Sequence, residues 1–440
     1  MNKRTSQLLA LVGVGALALT ACTSTGGSTT PEASPGEAVS SAAPPAEKVD
    51  LTFQSLSDQP GAIAATEAVV KKWNAENPMV QVKIVPAGWD GVYDKLVTQF
   101  AGGAAPDIIH YEAASVIPFA LDGYLADMTP YISEDMKSDV NQGIWDSVTV
   151  NDQIIAVPTE LQSYMVFANT KMLKSAGITV PTGDTLKWDD FRAMAKQATT
   201  GGQFGLGWGL KSPTATFMSL GLGNGGVYFD GEGDTAKVVI GDGELKLPNE
   251  IMAMNTEDKS LEPSTLTQSG GDVLAGFYAG KYAMTVQGSY QAANIAKDAP
   301  EGFEWAVLPA LEGTKSAAQS ANPQTLSVNI DSKSVEQSAA FVNYFASAEN
   351  LAALNTADAL IPASKAARDL IAEQTGGKDG WTEILASGDH LEAAPFMKVP
   401  NYTQWKDTVA TPAFQTFLAG QSDADGLSKA LTDGWTQINR

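Results

Sequence analysis

Side chains able to make or break bonds are scarce in this chain. Among 440 residues there are two histidines, His110 and His390, and one cysteine, Cys22. That inventory argues against a histidine-built or multi-thiolate metal centre, and a lone cysteine allows no internal disulfide. His110 directly follows the apolar pair Ile108-Ile109 and reads as a structural histidine. There is no G-x-S-x-G, no H-E-x-x-H and no P-loop. Gly221-Leu222-Gly223-Asn224-Gly225-Gly226 satisfies the dinucleotide fingerprint letter by letter, but no helix follows it and no acidic residue ends a strand at the required distance, so it reads as a loop. The acidic turn Asp230-Glu232-Asp234 is no calcium loop: Thr235 stands where glycine is obligatory, and Gly241 where a bidentate glutamate is needed. Carboxylate pairs far apart in the chain stay open as hydrolytic candidates. Lys and Arg total 28 against 50 Asp and Glu, a net charge of −22 that argues against nucleic acid and against anionic lipid head groups.

The remaining candidates are rings, amides and carboxylates near the ends of strands, and the elements around them are legible. The length suits two domains or more, and 44% apolar with 18% charged residues is globular composition. Val49–Phe53 alternates as a strand. A turn at Ser57-Asp58-Gln59-Pro60-Gly61 leads into a helix over 64–77, and Val80–Val85 alternates again. A helix over 91–100 stops at Gly102-Gly103, and Ala105–Ile109 is a short buried strand. Strand and helix alternating in this way predict an α/β layer with a parallel sheet. Further on, 165–169, 282–287 and 326–330 read as strands, 188–199, 335–347, 403–418 and 426–438 as helices, and 227–240 as a surface hairpin. No internal repeat is present.

The N-terminus is an address. Lys3-Arg4, an apolar run over 8–19 and small residues at 20–21 fit a secretory signal, too short for a membrane span of about 20 residues. Leu19-Thr20-Ala21-Cys22 resembles a bacterial lipobox, in which the cysteine thiol takes diacylglycerol and becomes residue one. With further acylation (palmitate, for example) the mature chain, of charge −24 once Lys3 and Arg4 are removed, is then anchored to the extracytoplasmic face of the cell membrane. Thr23–Glu47 is nearly all Ser, Thr, Pro, Gly and Ala, a tether with a span of about 25–30 Å as a flexible coil. The expected division is thus 1–21 signal peptide, 22–48 lipidated cysteine and disordered linker, and a body from Val49.

From Val49 to the C-terminus the chain resembles the extracellular solute-binding proteins of sugar ABC importers, the maltose- and multiple-sugar-binding family. The resemblance is carried by Ala105-Pro106-Asp107-Ile108-Ile109, Gly123–Met128 and Ile155–Pro158, then by Asn169–Gly177, Trp188–Phe191, Gly280–Met284 and Gly288-Ser289-Tyr290, in order. It implies a type II periplasmic-binding-protein-like α/β fold. Two hinged lobes, 49–159 plus 284–323 and 164–278 plus 328–440, cross near 160–162, 278–282 and 323–327 and close on ligand between them. It also implies a monomer with no cofactor and no catalysis, whose partners are a neutral mono- or oligosaccharide and the transmembrane subunits of an ABC permease. Sugar hydroxyls call for amides and acids, and pyranose faces for flat rings. The expected contacts are Asp58 and Gln59 after the first strand, Trp89 after the second, Tyr111 and Glu112 after the third, and Gln162 and Tyr164 at the first crossing. Trp208 is a platform from the other lobe, and Tyr290 stands where many relatives place a stacking tryptophan. Tyr402 and Trp405 complete an aromatic wall. On this reading Tyr290→Ala and Trp405→Ala each weaken sugar binding with stability nearly intact.

Three other readings compete. An acidic cleft with aromatic walls also suits a cation such as a polyamine. A surface-anchored glycoside hydrolase needs two facing carboxylates about 5–10 Å apart, which no spacing here suggests. A purely adhesive lipoprotein would use the aromatics as core.

Overall fold

The computed structural model describes Pro45 and residues 47–440; the signal segment, Cys22 and the rest of the tether lie outside the described residues. Alternating apolar residues form β1 (Val49–Ser55). Pro60, its φ already helical, opens α1 (Pro60–Glu76). Asn77 ends that helix, its side-chain amide donating to the Trp73 carbonyl at 3.0 Å, and the chain turns into β2 (Val80–Pro86). α2 (Val92–Ala101) buries Val92, Leu96 and Phe100 and stops at Gly102. β3 (Ile108–Glu112) and β2 both run parallel to β1. The expected β-α-β-α-β layer is therefore present.

β4 (Val157–Leu161) and β5 (Tyr164–Asn169) are separated by two residues, yet they enter different sheets. β5 joins β6 (Phe204–Gly207), β7 (Tyr282–Gly288) and, beyond α3 (Gln291–Asp298), β8 (Trp305–Val307) in a four-stranded sheet ordered β8-β5-β7-β6. β9 (Gln319–Ala321) then leads into β10 (Gln324–Val328), which returns to the first sheet, antiparallel to both β3 and β4. α4 (Val335–Phe345), α5 (Ala348–Asp358), β11 (Ile361–Pro362) and α6 (Lys365–Thr375) follow, and the first sheet is completed as β11-β4-β10-β3-β1-β2. β12 (Leu391–Ala393) pairs in parallel with β9. Among the described residues no helix is long and apolar enough to cross a membrane.

Each lobe has its own aromatic core. In the first lobe Phe53 of β1 meets Phe341 and Phe345 of α4 at centroid distances of 5.7 and 5.6 Å, and Trp73 of α1 meets Phe341 at 5.5 Å. In the second, Phe229 of the antiparallel 229–238 hairpin meets Trp405 at 5.0 Å and Trp435 at 5.1 Å, so the C-terminal helices pack there.

These contacts correct the expected lobe boundaries. Strand 282–288 pairs with β5 and β6 in the second sheet, so 284–321 does not belong with the first lobe and 278–282 is not a crossing. Residues 324–375 belong to the first lobe, through β10, the aromatic contacts of α4, and β11. The chain crosses again over residues 376–393, and the segment from about 394 onward packs in the second lobe. A fully buried run such as Tyr282–Gly288 announces a central strand without saying of which sheet, because its partners are distant in the chain.

Trp405 is also corrected. It is 0% exposed, and its indole N–H donates to the Leu431 carbonyl at 3.0 Å. Trp405→Ala should therefore cost about 3–5 kcal/mol of stability, as large-to-small changes in aromatic cores do. Denaturant titration of the variant will register this as a fall in the midpoint.

Candidate ligand-binding cleft

The two lobes meet at three chain crossings held side by side. The first, Gln162-Ser163, is the two-residue link between β4 and β5. The carbonyl of buried Ser163 accepts from the Ser289 N–H at 2.8 Å, and its hydroxyl lies 2.7 Å from that of Ser387. Gln319 of β9, 0% exposed, grips both backbone groups of Tyr164: its Oε1 accepts from the Tyr164 N–H at 2.7 Å, and its Nε2 donates to the Tyr164 carbonyl at 3.0 Å. The second crossing follows at once. Asn322 and Pro323 accept from the N–H groups of Ala114 and Ala113 in the first lobe, at 3.0 and 2.9 Å. The third runs through Gly376, Gly377, Asp379 and Gly380, all left-handed with φ of 57°, 75°, 55° and 82°, a conformation that glycine adopts without steric cost.

Against this hinge lies a hollow of about 220 Å³, lined on the crossing by Gln162 and Tyr164 and from the second lobe by Trp208, Lys211, Gln287 and Tyr290. Gly288 makes room for it. A Cβ there would stand 2.5 Å from the Tyr290 ring and 2.8 Å from Gln162 Nε2. Tyr290 also faces the first lobe, sharing a second hollow of about 120 Å³ with Gln59 and Asp358. Asp58 is exposed beside it and accepts from Gln59 Nε2 at 3.2 Å.

The first lobe contributes the end of β3. Tyr111 is buried and Glu112 half-buried, and the Ser115 hydroxyl donates to Glu112 Oε1 at 3.1 Å. Trp89, half-buried, sets its ring 6.0 Å from His110 and 6.2 Å from Tyr111. Burial pushes the Tyr164 hydroxyl up to about 12, with Tyr290 and Glu112 adding to the rise. Burial, then Glu112, Tyr164 and Asp407, likewise raise Tyr402. Glu112 of the first lobe is thus within electrostatic reach of Tyr164 on the crossing and of Tyr402 in the second lobe. His110 is held neutral, its pKa lowered to about 4 by burial; its Nδ1 accepts from the Leu56 N–H and its Nε2 donates to Gln324 Oε1 at 2.6 Å. It is the structural histidine expected.

Two further aromatics depart from the expectation. Trp208 is 1% exposed, packed 6.4 Å from Trp188, and forms floor rather than an open platform. The Tyr402 ring is stacked on Phe396 at 3.9 Å, which leaves its hydroxyl end as the part felt by Glu112. The fingerprint glycines form the end of a helix (Thr214–Gly221) and a 3₁₀ turn; the Gly223 carbonyl there accepts from Lys315 and Ser316 at 2.9 and 3.1 Å. Among the described residues no group of three or more His, Cys, Asp or Glu is arranged to hold a metal ion.

Sequence reasoning missed Lys211, Gln287 and an acidic set beside the hinge. Gln287 was within reach, as the last side chain before Gly288-Ser289-Tyr290. Glu160 and Asp358 carried no local signal. Glu160, on β4 two residues before the first crossing, is 3% exposed with one carboxyl oxygen lacking a hydrogen-bond partner. Burial, reinforced by Asp358, holds it well above the usual carboxylate range. Burial and the neighbouring Asp58 push Asp358 up to about 6.

A body of two sheets, three adjoining crossings and a polar, ring-lined hollow at the crossings defines a hinged ligand-trapping protein. The family model for bacterial extracellular solute-binding proteins matches residues 57–352, and the chain belongs to that family. It is 36% identical over 383 residues to an uncharacterized lipoprotein in the oleD 5′ region of Streptomyces antibioticus, covering 86% of this chain and 85% of that one. It is 26% identical over 316 residues to the maltodextrin-binding protein of Bacillus subtilis, covering 70% and 72%. Among solved structures it is similar to the GacH receptor of Streptomyces glaucescens, determined unliganded and in complex with acarbose, with a TM-score of 0.74, 21% identity and coverage of 89% and 98%.

The raised Asp358 carboxyl fixes a pH dependence. The folded state retains a proton that the unfolded chain releases above about pH 4, so stability falls as pH rises from about 4 to about 6 and stays lower above that. Asp358→Asn removes this cost. The variant should melt higher than the parent at pH 7, with the gap shrinking toward pH 4, as read by thermal scans across that range.

Proposed function

We propose that the protein is the carbohydrate-capturing component of an ABC importer. It binds an uncharged mono- or oligosaccharide between its lobes and passes it to the transmembrane permease without breaking a bond. The observation that carries this reading is the meeting of Tyr290, Gln162 and Tyr164 with Gln287 at the hinge, with Glu112 of the first lobe in electrostatic reach of Tyr164. Rings suit the C–H faces of a pyranose, while amides and acids suit its hydroxyls. Membership of a solute-binding family and a relative named for maltodextrin support the same ligand class. The ligand shifts the open and closed arrangements only by its differential affinity for them, and contacts from both sides of the hinge supply that difference. The chain acts as a monomer held by acyl chains on Cys22 at the extracytoplasmic membrane face, with residues 23–47 as its tether; the relative named a lipoprotein supports this.

Three measurements test the proposal. A bound oligosaccharide at a hundredfold excess over its Kd should stabilise the protein by about 2.7 kcal/mol, and Tyr290→Ala should weaken that binding roughly tenfold or more with little change in the unliganded melting point. Failure of every neutral sugar to raise the melting point, while a polyamine does, would overturn the ligand class. Cys22→Ser should move the protein from the membrane fraction to the soluble one on cell fractionation.

A further inference from the structure

The cleft does not end at Tyr290. The hollow that Tyr290 shares with Gln59 and Asp358 reaches Ala293 on α3, and Ala293 borders a third hollow, of about 380 Å³. One wall of this outer hollow is α3, from the second lobe, which presents Ala292, Ala293 and Ala296. The other wall is made by the C-terminal ends of α5 and α6 from the first lobe, with Thr356 and Thr375, and by Lys378 of the third crossing. The inner hollow of about 220 Å³ is smaller than the roughly 300–1,000 Å³ in which proteins enclose drug-sized ligands.

We infer that the three hollows form one groove, and that its outer part holds the distal units of an oligosaccharide whose first units lie against Tyr290 and Gln162. This rests on the carbohydrate reading above and extends it to chain length. The lining fits such an occupant. Positions 292, 293 and 296 lie on one helix face, and as alanines they leave a flat apolar strip for the C–H faces of a sugar. Opposite the strip are groups for hydroxyls: the Thr356 hydroxyl oxygen is buried without a hydrogen-bond partner, and Gln374 and Lys378 add donors. An occupant of the outer hollow touches both lobes, so each added unit favours the lobe spacing seen here over a wider one.

The test is isothermal titration of the purified protein with three linear series, α-1,4-glucose, arabinose and galactose-containing oligosaccharides, each from disaccharide to heptasaccharide. In the series that binds, affinity should rise roughly tenfold from the disaccharide to the longer members. Ala296 is exposed on α3, so Ala296→Trp fills the outer hollow from the surface without disturbing the core. The variant should lose the gain with length and keep the disaccharide affinity; Gln374→Trp, exposed on the opposite wall of the outer hollow, should do the same. Affinity that does not depend on length, or a gain that survives both variants, overturns the groove while leaving the carbohydrate reading intact. Binding of no member of any series overturns that reading itself.

Discussion

The structure turns on one side chain. The Gln319 amide closes two hydrogen bonds on the backbone of Tyr164, and thereby ties the segment leaving the second lobe to the segment that enters it. Both partners are backbone groups that a buried crossing must otherwise leave unsatisfied, at a cost of about 1–3 kcal/mol each. With that clasp in place, Ser163 can meet Ser289 and Ser387, and the three crossings lie side by side. The hinge is therefore narrow and hydrogen-bonded, while the surfaces on either side of it carry the ligand chemistry.

Those surfaces differ in kind. The second-lobe wall is glycine-cut. Gly288 lets a ring and an amide approach each other within a space that any side chain would occupy. The first-lobe wall is acidic, with Glu112 beside buried tyrosines and with Asp58, Asp358 and Glu160 crowded near the start of α1 and the end of α5.

How much of this was legible in the sequence depended on the range over which each signal acts. The opening β-α-β-α-β run, the 229–238 hairpin and the C-terminal helices were readable because alternation, helical spacing and glycine stops are local. Gln162, Tyr164 and Tyr290 lie where a family pattern marks the sequence, and the fold brings all three to one hollow. The lobe assignment of 282–288 and of 324–375 was not legible, since both depend on which strands pair across more than a hundred residues. Trp405 misled for a related reason. An aromatic in a terminal helix looks the same in sequence whether it faces a ligand or, as here, Phe229 and Trp435.

The return of β10 to the first sheet has a consequence for how the protein is made. β10 sits between β3 and β4, yet residues 164–321 of the second lobe are synthesised before it. Until residues 324–328 emerge, β3 and β4 have no strand between them, and the aromatic lid of α4 is still to come. Pairings at such separation carry a large loop-closure cost and belong to slow-folding topologies. A chain so wired stays unfinished through most of its synthesis, and it acquires its first compact half only when the last third has arrived.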